Sequence, residues 1–575
     1  MPALAPTLVA AVRGLPRAPD RGFTFVRADG TERFLSWASL EAEAELRARR
    51  LVALGARKGD RIALVIPEGD EFVLSFVAAC FAGAVPVPIY PQLSFKNVAG
   101  YHDTVAHIAG AAGAKLLVTT PSVQSYVAPV EERVPSLEAI VLAGDLAAGD
   151  LGGPLDVAVG PDDLAFLQFT SGSTARPKGV MVAHANLSAN AQAFMVDGLR
   201  ADPAVDRGVS WLPLFHDMGL IGFVLAPLFG DIPVTFLPTA SFVRNPRLWL
   251  QTLHDKRGTI TYAPNFAYAL VAKRVKDKDT QGLDLSCVRV LGCGAEPIQA
   301  KTLRDFAERL APARLDPRAF LPSYGMAEAT LAITFAPLAR PLGTDRVTTR
   351  SMQAGAPEPA PEGTPDADAQ ELVGCGGPFP NHAVEIRDPE TDAVLGERRV
   401  GEVCARGPSV CRGYWGDPER TAQTFRDGWL RTGDLGYVAG GELYICGRLK
   451  DVIIIRGRNF HPQDIEWVVG ELEGVRRGNV IAFGVSVDAA GRVVADGTGE
   501  EQLVVCAEGT TSEAARIEAE IGSAIAAQLG LSVHRALVVP LGALPRTTSG
   551  KPQRRLARQL FLSGALEATR ARPAT

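Results

Sequence analysis

The densest chemical signal in the chain is the run Phe169-Thr170-Ser171-Gly172-Ser173-Thr174-Ala175-Arg176-Pro177-Lys178-Gly179. Small hydroxyl residues around glycines expose backbone N–H groups and O–H donors on one concave loop, and Lys178 adds a cation, a combination suited to a polyphosphate. A Ser/Thr-rich surface turn has the same composition, so the loop alone leaves both readings open. It is not a Walker A loop, because G-x-x-x-x-G-K-[ST] occurs nowhere in the chain. His216, beside Phe215, is a second candidate: a histidine can hydrogen-bond near a reacting oxygen without a permanent charge, or can be satisfied in a core. Trp211, Leu214, Phe215, Met218, Leu220, Ile221, Phe223 and Val224 around it are apolar enough to line a tunnel for a chain and would serve equally as packing. The eight cysteines form no C-x-x-C pair and read as reduced cytosolic thiols, not a zinc site or disulfide framework.

The elements that must hold these residues follow an α/β grammar. Short apolar runs at Arg61–Ile66, Val85–Ile89, Ala114–Thr119 and Ala139–Leu142 alternate with helical patterns such as Asp70–Ala82, and the same alternation returns at Leu164–Thr170, Thr259–Tyr262 and Val288–Leu291. Repeated βαβ units mean mostly parallel sheets covered by helices. From Gly374 to Tyr444 short strands with many Gly and Pro turns predict a small twisted sheet or distorted barrel. After Lys450, an apolar run at Val452–Ile455, strands at Asn479–Val487 and Gln502–Ala507, a helix over Ser512–Leu529 and a strand at Ala536–Val539 predict a small α+β domain. Gln353 to Gln370 holds four prolines, four acids and no base, a composition that cannot order itself, so an exposed loop is expected there.

At 575 residues the chain is too long for one core, and a net charge of −5 gives no reason to expect nucleic acid as a partner. The longest uncharged run, Val73 to Tyr90, is broken by Pro86 and Pro88 and reads as buried helix plus strand, not a membrane span. The first residues lack a signal-peptide pattern, so no export is expected.

The phosphate-type loop is followed, in order, by Leu214-Phe215-His216-Asp217-Met218-Gly219, Gly294-Ala295-Glu296-Pro297, Ser323-Tyr324-Gly325-Met326-Ala327-Glu328-Ala329, Thr432-Gly433-Asp434, Gly447-Arg448-Leu449-Lys450-Asp451 and Pro545-Arg546-Thr547-Thr548-Ser549-Gly550-Lys551. These motifs together resemble the adenylate-forming superfamily of acyl ligases, luciferases and adenylation domains, and most closely the fatty acyl-AMP ligases. The resemblance implies a large N-terminal domain over residues 1–449, with two βαβ-type subdomains and a barrel-like part at about 374–445, and a mobile C-terminal lid over 450–575. It implies an ATP- and Mg²⁺-dependent reaction in which a fatty acid becomes acyl-AMP with release of pyrophosphate. Lys551 is then the main electrostatic catalyst, bridging carboxylate and α-phosphate. Thr170, Ser171, Gly172, Ser173, Thr174 and Lys178 would bind phosphates, and Glu328 would hold Mg²⁺. Tyr324, with Ser323, Gly325 and Met326 beside it, would offer a face to adenine that Gly294, Ala295, Glu296 and Pro297 close from the other side, while Asp434 with Arg448 would accept the ribose hydroxyls. His216 would gate the carboxylate end of a pocket walled by Trp211, Phe215, Met218, Gly219 and Ile221, and its presence where amino-acid-activating members carry an aspartate speaks against an amino-acid substrate. Lys450 would be the hinge.

Two departures bear on the acceptor. Ala175 stands where the superfamily usually has glycine, as fatty acyl-AMP ligases tolerate, and the long stretch between Tyr324 and Gly374 resembles their insertion, placed at about 340–372. The insertion implies an acyl carrier protein, not CoA, as thiol donor. In the loop Arg456–Glu466, the family's aromatic and histidine stand in swapped order at Phe460 and His461. A fatty acyl-CoA ligase and a non-catalytic adenylate-binding homologue are the alternatives, the latter disfavoured by the joint presence of Lys178, Glu328, Asp434 and Lys551. A cytoplasmic monomer is expected. The near-neutral total hides a polarity: residues 531–575 carry eight basic side chains against one acidic, whereas 451–530 sum to −7.

Overall fold

The computed structural model describes residues 4–91, 98–148, 155–170, 177–455, 458–488, 492–494, 499–547 and 550–571. Arg61–Val65, Val85–Pro88, Ala114–Thr119 and Ala139–Leu142 form an all-parallel four-stranded sheet with Arg61–Val65 and Ala114–Thr119 inside. Near-continuous apolar runs are what a sheet covered on both faces requires. The helix Gly69–Phe81 buries eleven of its thirteen residues, so the longest uncharged run is core, and among the described residues no helix is long and apolar enough to cross a membrane.

A nine-stranded sheet forms the centre. Its parallel strands run Phe320–Gly325, Val290–Cys293, Ile260–Ala263, Gly208–Ser210, Val234–Phe236 and Gly22–Val26 across the sheet, and antiparallel strands finish each edge. The chain start is therefore built into this sheet, and it is pinned where the Trp37 indole N–H donates to Asp231 Oδ1 at 2.7 Å. Leu164–Thr170 departs from the expected parallel grammar. It pairs antiparallel with Lys178–Ala183, because the short connection between them permits a hairpin but no crossover helix. The third system is antiparallel, with Trp429–Ala439 paired to Gly401–Arg406, Phe425–Arg426 and Glu442–Arg448. Register shifts at Glu402/Cys404 and Leu435/Gly436 bend it.

The proline-rich acidic segment is exposed over much of its length, yet it is ordered. Thr344–Thr348 pairs antiparallel with Ala369–Val373, and the chain between them folds back so that Thr348 N–H donates to Glu358 O and Ala360 N–H to Arg346 O. Arg346 donates to Asp366 Oδ1 at 2.9 Å. Composition judged the segment by itself, whereas its flanking strands supply the order.

Past residue 452, Val475–Val487 is flanked by Val493–Val494 and Glu500–Gly509, and Glu500–Gly509 pairs in parallel with Val533–Val539. Side-chain alternation gives this sheet two apolar faces. Val480, Ala482, Leu503 and Val505 pack on the helices Pro462–Gly470 and Ala514–Leu529. Ile481, Phe483, Val504 and Cys506 pack on Ala557 of the helix Arg554–Leu562.

Candidate active site

A cavity of about 1900 Å³ lies where the three sheet systems meet the C-terminal domain. The hairpin opens into it: Thr170 and Lys178 are cross-strand partners, so both face the cavity from the root of the loop. Ser171, Gly172, Ser173 and Thr174 lie outside the described residues. Lys178 Nζ sits 5.0 Å from the centroid of the Tyr414 ring, and burial followed by the nearby Arg420 lowers its pKa against the pull of Glu328. Tyr414 in turn donates its hydroxyl to Glu328 Oε1 at 2.7 Å. Glu328 is buried in the short turn Ala327–Ala329. One lone-pair site of its carboxylate is used in this way and others remain for a hard cation. No cluster of three or more His, Cys, Asp or Glu able to hold a metal occurs among the described residues, so a cation here would lean on ligand oxygens as well.

Gly294–Pro297 and Ser323–Met326 leave the carboxyl ends of neighbouring parallel strands, the usual place for a ligand crevice in such sheets. Ala295 takes φ +69°, turning the first segment sharply across the second. The Tyr324 hydroxyl donates to Asp434 Oδ2 at 2.8 Å, and Arg448 Nε pairs with Asp434 Oδ1 at 3.0 Å. Asp434 and Arg448 are themselves cross-strand partners, which fixes this pair on rigid backbone. Asp434 raises the Arg448 pKa, and burial with Asp434 raises that of Tyr324.

His216 caps the short helix Asp217–Leu220, and its Nδ1 lies 2.5 Å from Asp217 Oδ1, which also accepts the Met218 N–H at 2.8 Å. Burial pushes the Asp217 carboxyl up, but His216, Lys551 and the Met218 N–H outweigh it and bring the pKa down to about 2. Lys551 is held on a tight turn in which Lys551 N–H donates to Thr547 Oγ1 at 3.0 Å and Thr547 N–H donates to Lys551 O at 2.8 Å. Its ammonium acts on Asp217 and on Glu296, whose Oε1 accepts the Phe266 N–H at 2.6 Å. Burial raises the Glu296 pKa, opposed by that hydrogen bond, by Lys551 and by Arg546. A lysine, an imidazole–carboxylate pair, a cation-ready carboxylate and an acceptor carboxylate thus share one cavity, an arrangement able to concentrate and neutralise negative charge.

An apolar arm of the cavity runs behind His216. Phe215 and Met218 line it, whereas Trp211, Gly219 and Ile221 do not. Trp211 is stacked on Phe242 at 3.9 Å in the core, Ile221 is fully buried, and a Cβ on Gly219 would come within 2.2 Å of Pro213 O. The wall comes instead from two π-helical stretches, Gln192–Gly198 with Phe194 and Met195, and Ile221–Leu225 with Gly222 and Phe223, together with Tyr262 and Phe335. π turns are rare and often mark functional sites. Sequence reasoning missed Tyr414 and the pairing of Asp217, and no spacing signals Tyr414: it reaches Glu328 through the long-range bridge Val180↔Tyr414.

The C-terminal domain is docked by polar contacts. Gln463 donates to Cys446 O across the boundary, while Arg554, bonded to Glu466 at 2.8 and 2.6 Å and to Asp451 at 3.0 Å, ties the domain to its own first turn. Two contacts reach the acidic segment: Arg458 donates to Gln353 Oε1, and Gln370 Nε2 donates to Asp464 Oδ2 at 3.3 Å. Lys450 stands exposed in the turn Leu449–Asp451 between the two masses.

The model of the family described as AMP-binding enzyme matches residues 15–415. A Caulobacter vibrioides protein named as an acyl-CoA synthetase is 39% identical over 92% of this chain and 91% of its own. The long-chain-fatty-acid–AMP ligase FadD32 of Mycolicibacterium smegmatis is 35% identical over 94% and 91%. Among solved structures, one from a study of fatty acyl-adenylate ligases of E. coli and L. pneumophila superposes with a TM-score of 0.89 at 35% identity over 99% of both chains. The L. pneumophila ligase in complex with acyl adenylate and pyrophosphate gives 0.72 at 31% identity, over 97% and 96%.

Proposed function

The chain belongs to the AMP-binding enzyme family, and on that footing we propose that it is a fatty acyl-AMP ligase that activates a fatty acid with ATP and passes the acyl group to the phosphopantetheine thiol of an acyl carrier protein. The observation that carries this reading is that Lys551, His216, Asp217 and Glu296 line one cavity, in which the Lys551 ammonium acts on both carboxylates.

In the first step a carboxylate oxygen of the fatty acid attacks the α-phosphorus of ATP, the bond to the bridging oxygen breaks, and pyrophosphate leaves. Lys551 bridges the two anions and balances the charge that gathers on the α-phosphate. His216, oriented by Asp217, donates a hydrogen bond to the carboxylate at the tunnel mouth. Asp434 accepts from the ribose hydroxyls through the lone pairs that Tyr324 and Arg448 leave free. Tyr324 and Gly294–Pro297 enclose the base, and Thr170, Lys178 and the loop residues 171–174 take the phosphates. Mg²⁺, held against Glu328 and phosphate oxygens, would neutralise phosphate charge. In the second step the thiol attacks the acyl carbonyl, a thioester forms, and AMP leaves.

The relatives' names include both AMP ligases and an acyl-CoA synthetase, so the choice of acceptor rests on the acidic segment. Its bonds from Gln353 and Gln370 to the lid favour the arrangement that presents Lys551 and oppose a large rotation about the hinge at Lys450. A division at residues 449 and 450 fits this motion. Eight free cysteines suit a reducing compartment, in line with a cytoplasmic site of action. Purified protein given Mg-ATP and a fatty acid, with holo-carrier protein or CoA supplied separately, is expected to acylate the carrier and to make little acyl-CoA. Rapid acyl-CoA formation would establish the CoA ligase reading instead.

A further inference from the structure

The helix Asn265–Arg274 has an apolar stripe toward the core and a second, mixed stripe in which two apolar residues are followed by a cation. Ala267, Tyr268 and Val271 face the core, while Phe266, Leu270 and Lys273, at i, i+4 and i+7, line the rim of the cavity. Phe266 is 39% exposed, and Val243 on the adjoining helix Thr239–Arg244 is 45% exposed. The stretch of chain that carries this pair is cationic. Residues 239–278 hold eight Lys and Arg against two Asp in a chain whose total is −5. Among the described residues, Arg244, Lys273, Arg274 and Lys276 enter no ion pair, and the hydrogen bonds of three of them go to backbone oxygens: Arg244 to Ala240, Arg274 to Val243 and Lys276 to Lys273. An apolar rim with unspent positive charge marks a surface that meets an anionic partner.

The position of this rim selects the partner. Phe266 gives its own N–H to Glu296, which lines the same cavity as Lys551, so the mouth opens beside the polar end of the cavity that holds Lys551. A lipid surface would supply chains, whereas the reaction centre needs a thiol. We propose that the rim formed by Val243, Arg244, Phe266, Lys273 and Arg274 is the docking surface on which an acidic carrier protein lands and through which its phosphodiester-linked thiol arm enters. This rests on the acyl-transfer reading above. The arm's phosphodiester finds Lys273 and Arg274 at the entrance, and Phe266 and Val243 give the carrier an apolar anchor.

The test uses full-length protein carrying Lys273→Glu with Arg274→Glu, and separately the milder Lys273→Gln with Arg274→Gln. The KM for an acidic holo-carrier is expected to rise by about tenfold in the charge-reversed protein, less in the neutral one, and with a weaker salt dependence than wild type. Fatty-acid-dependent pyrophosphate exchange stays at the wild-type rate, which certifies the fold. An unchanged carrier KM would overturn the proposal. So would variants that lose binding to vesicles of mixed phosphatidylglycerol and phosphatidylcholine while acylating the carrier normally, since the surface would then serve a membrane. Failure of the wild-type protein to acylate any carrier, with CoA acylated rapidly, would remove the acyl-transfer reading and this surface with it.

Discussion

Asp434 illustrates what one side chain must do in this cavity. Both its oxygens are already engaged, by the Tyr324 hydroxyl and Arg448, so the carboxylate is fixed before any nucleotide arrives and accepts further donors at no cost in orientation. On the proposed reading, replacing it with alanine removes the ribose acceptor. Asp434→Ala is expected to raise the KM for ATP roughly 10- to 100-fold, the range for losing one or two charge-assisted hydrogen bonds. The KM for the fatty acid should change little, because the proposed reading puts its carboxylate end at His216, away from Asp434. Pyrophosphate exchange with each substrate varied in turn measures both, and an equal rise in the two constants would contradict the assignment. Lys178, Glu328, Asp434 and Lys551 stand out in the sequence because each sits in a compact run with recognisable neighbours, and the fold brings all four to one cavity. Tyr414 does not stand out, since its contact with Glu328 spans 86 residues and exists only after strands pair. Trp211 and Ile221 misled, because an apolar residue near a motif gives no sign of whether it faces a tunnel or the core behind it.

At the scale of elements, helices and buried strands were readable from period and length, and the errors lie where pairing decides. Leu164–Thr170 looks like any buried strand until the short hairpin connection to Lys178–Ala183 is counted. The acidic segment looks disorderable until Thr344–Thr348 and Ala369–Val373 clamp its ends. That clamp carries a pH-dependent contact. Burial and the neighbouring Glu466 push the Asp464 pKa from its ordinary value up to about 7, with the Gln370 amide pulling the other way. A carboxyl whose pKa is raised in the docked state favours docking while protonated. The docked arrangement is therefore most stable at low pH, loses stability as pH climbs from about 4, and bears the full penalty above about 7. Hydrogen exchange over the helix Pro462–Gly470, expressed as protection factors, should fall between about pH 4 and pH 7 and level off above, and Asp464→Asn should flatten that change while keeping an acceptor for Gln370. The same fall in the variant would assign the dependence to another group.

The whole molecule brings a basic arm of the small domain, Lys551 included, to the wall of a cavity that both domains line. The sequence polarity reads directly on this plan: Arg546, Lys551, Arg554 and Arg555 come from the basic final segment and all line the cavity, and Arg554 is tied down by Glu466 and Asp451. A net charge of −5 concealed both that basic arm and the cationic rim around Phe266. What no sequence pattern specifies is the relative seat of the two masses, because that depends on a few polar contacts such as Arg458 with Gln353. The account stands on Lys551 serving acyl-AMP formation from this seat. The most direct measurement is fatty-acid-dependent exchange of labelled pyrophosphate into ATP by Lys551→Ala, alongside ATP binding to the same protein. Exchange is expected to fall by about 100- to 1000-fold with ATP affinity nearly kept, the size of loss seen when one preorganised stabiliser of developing charge is removed. Exchange near the wild-type rate would contradict the account.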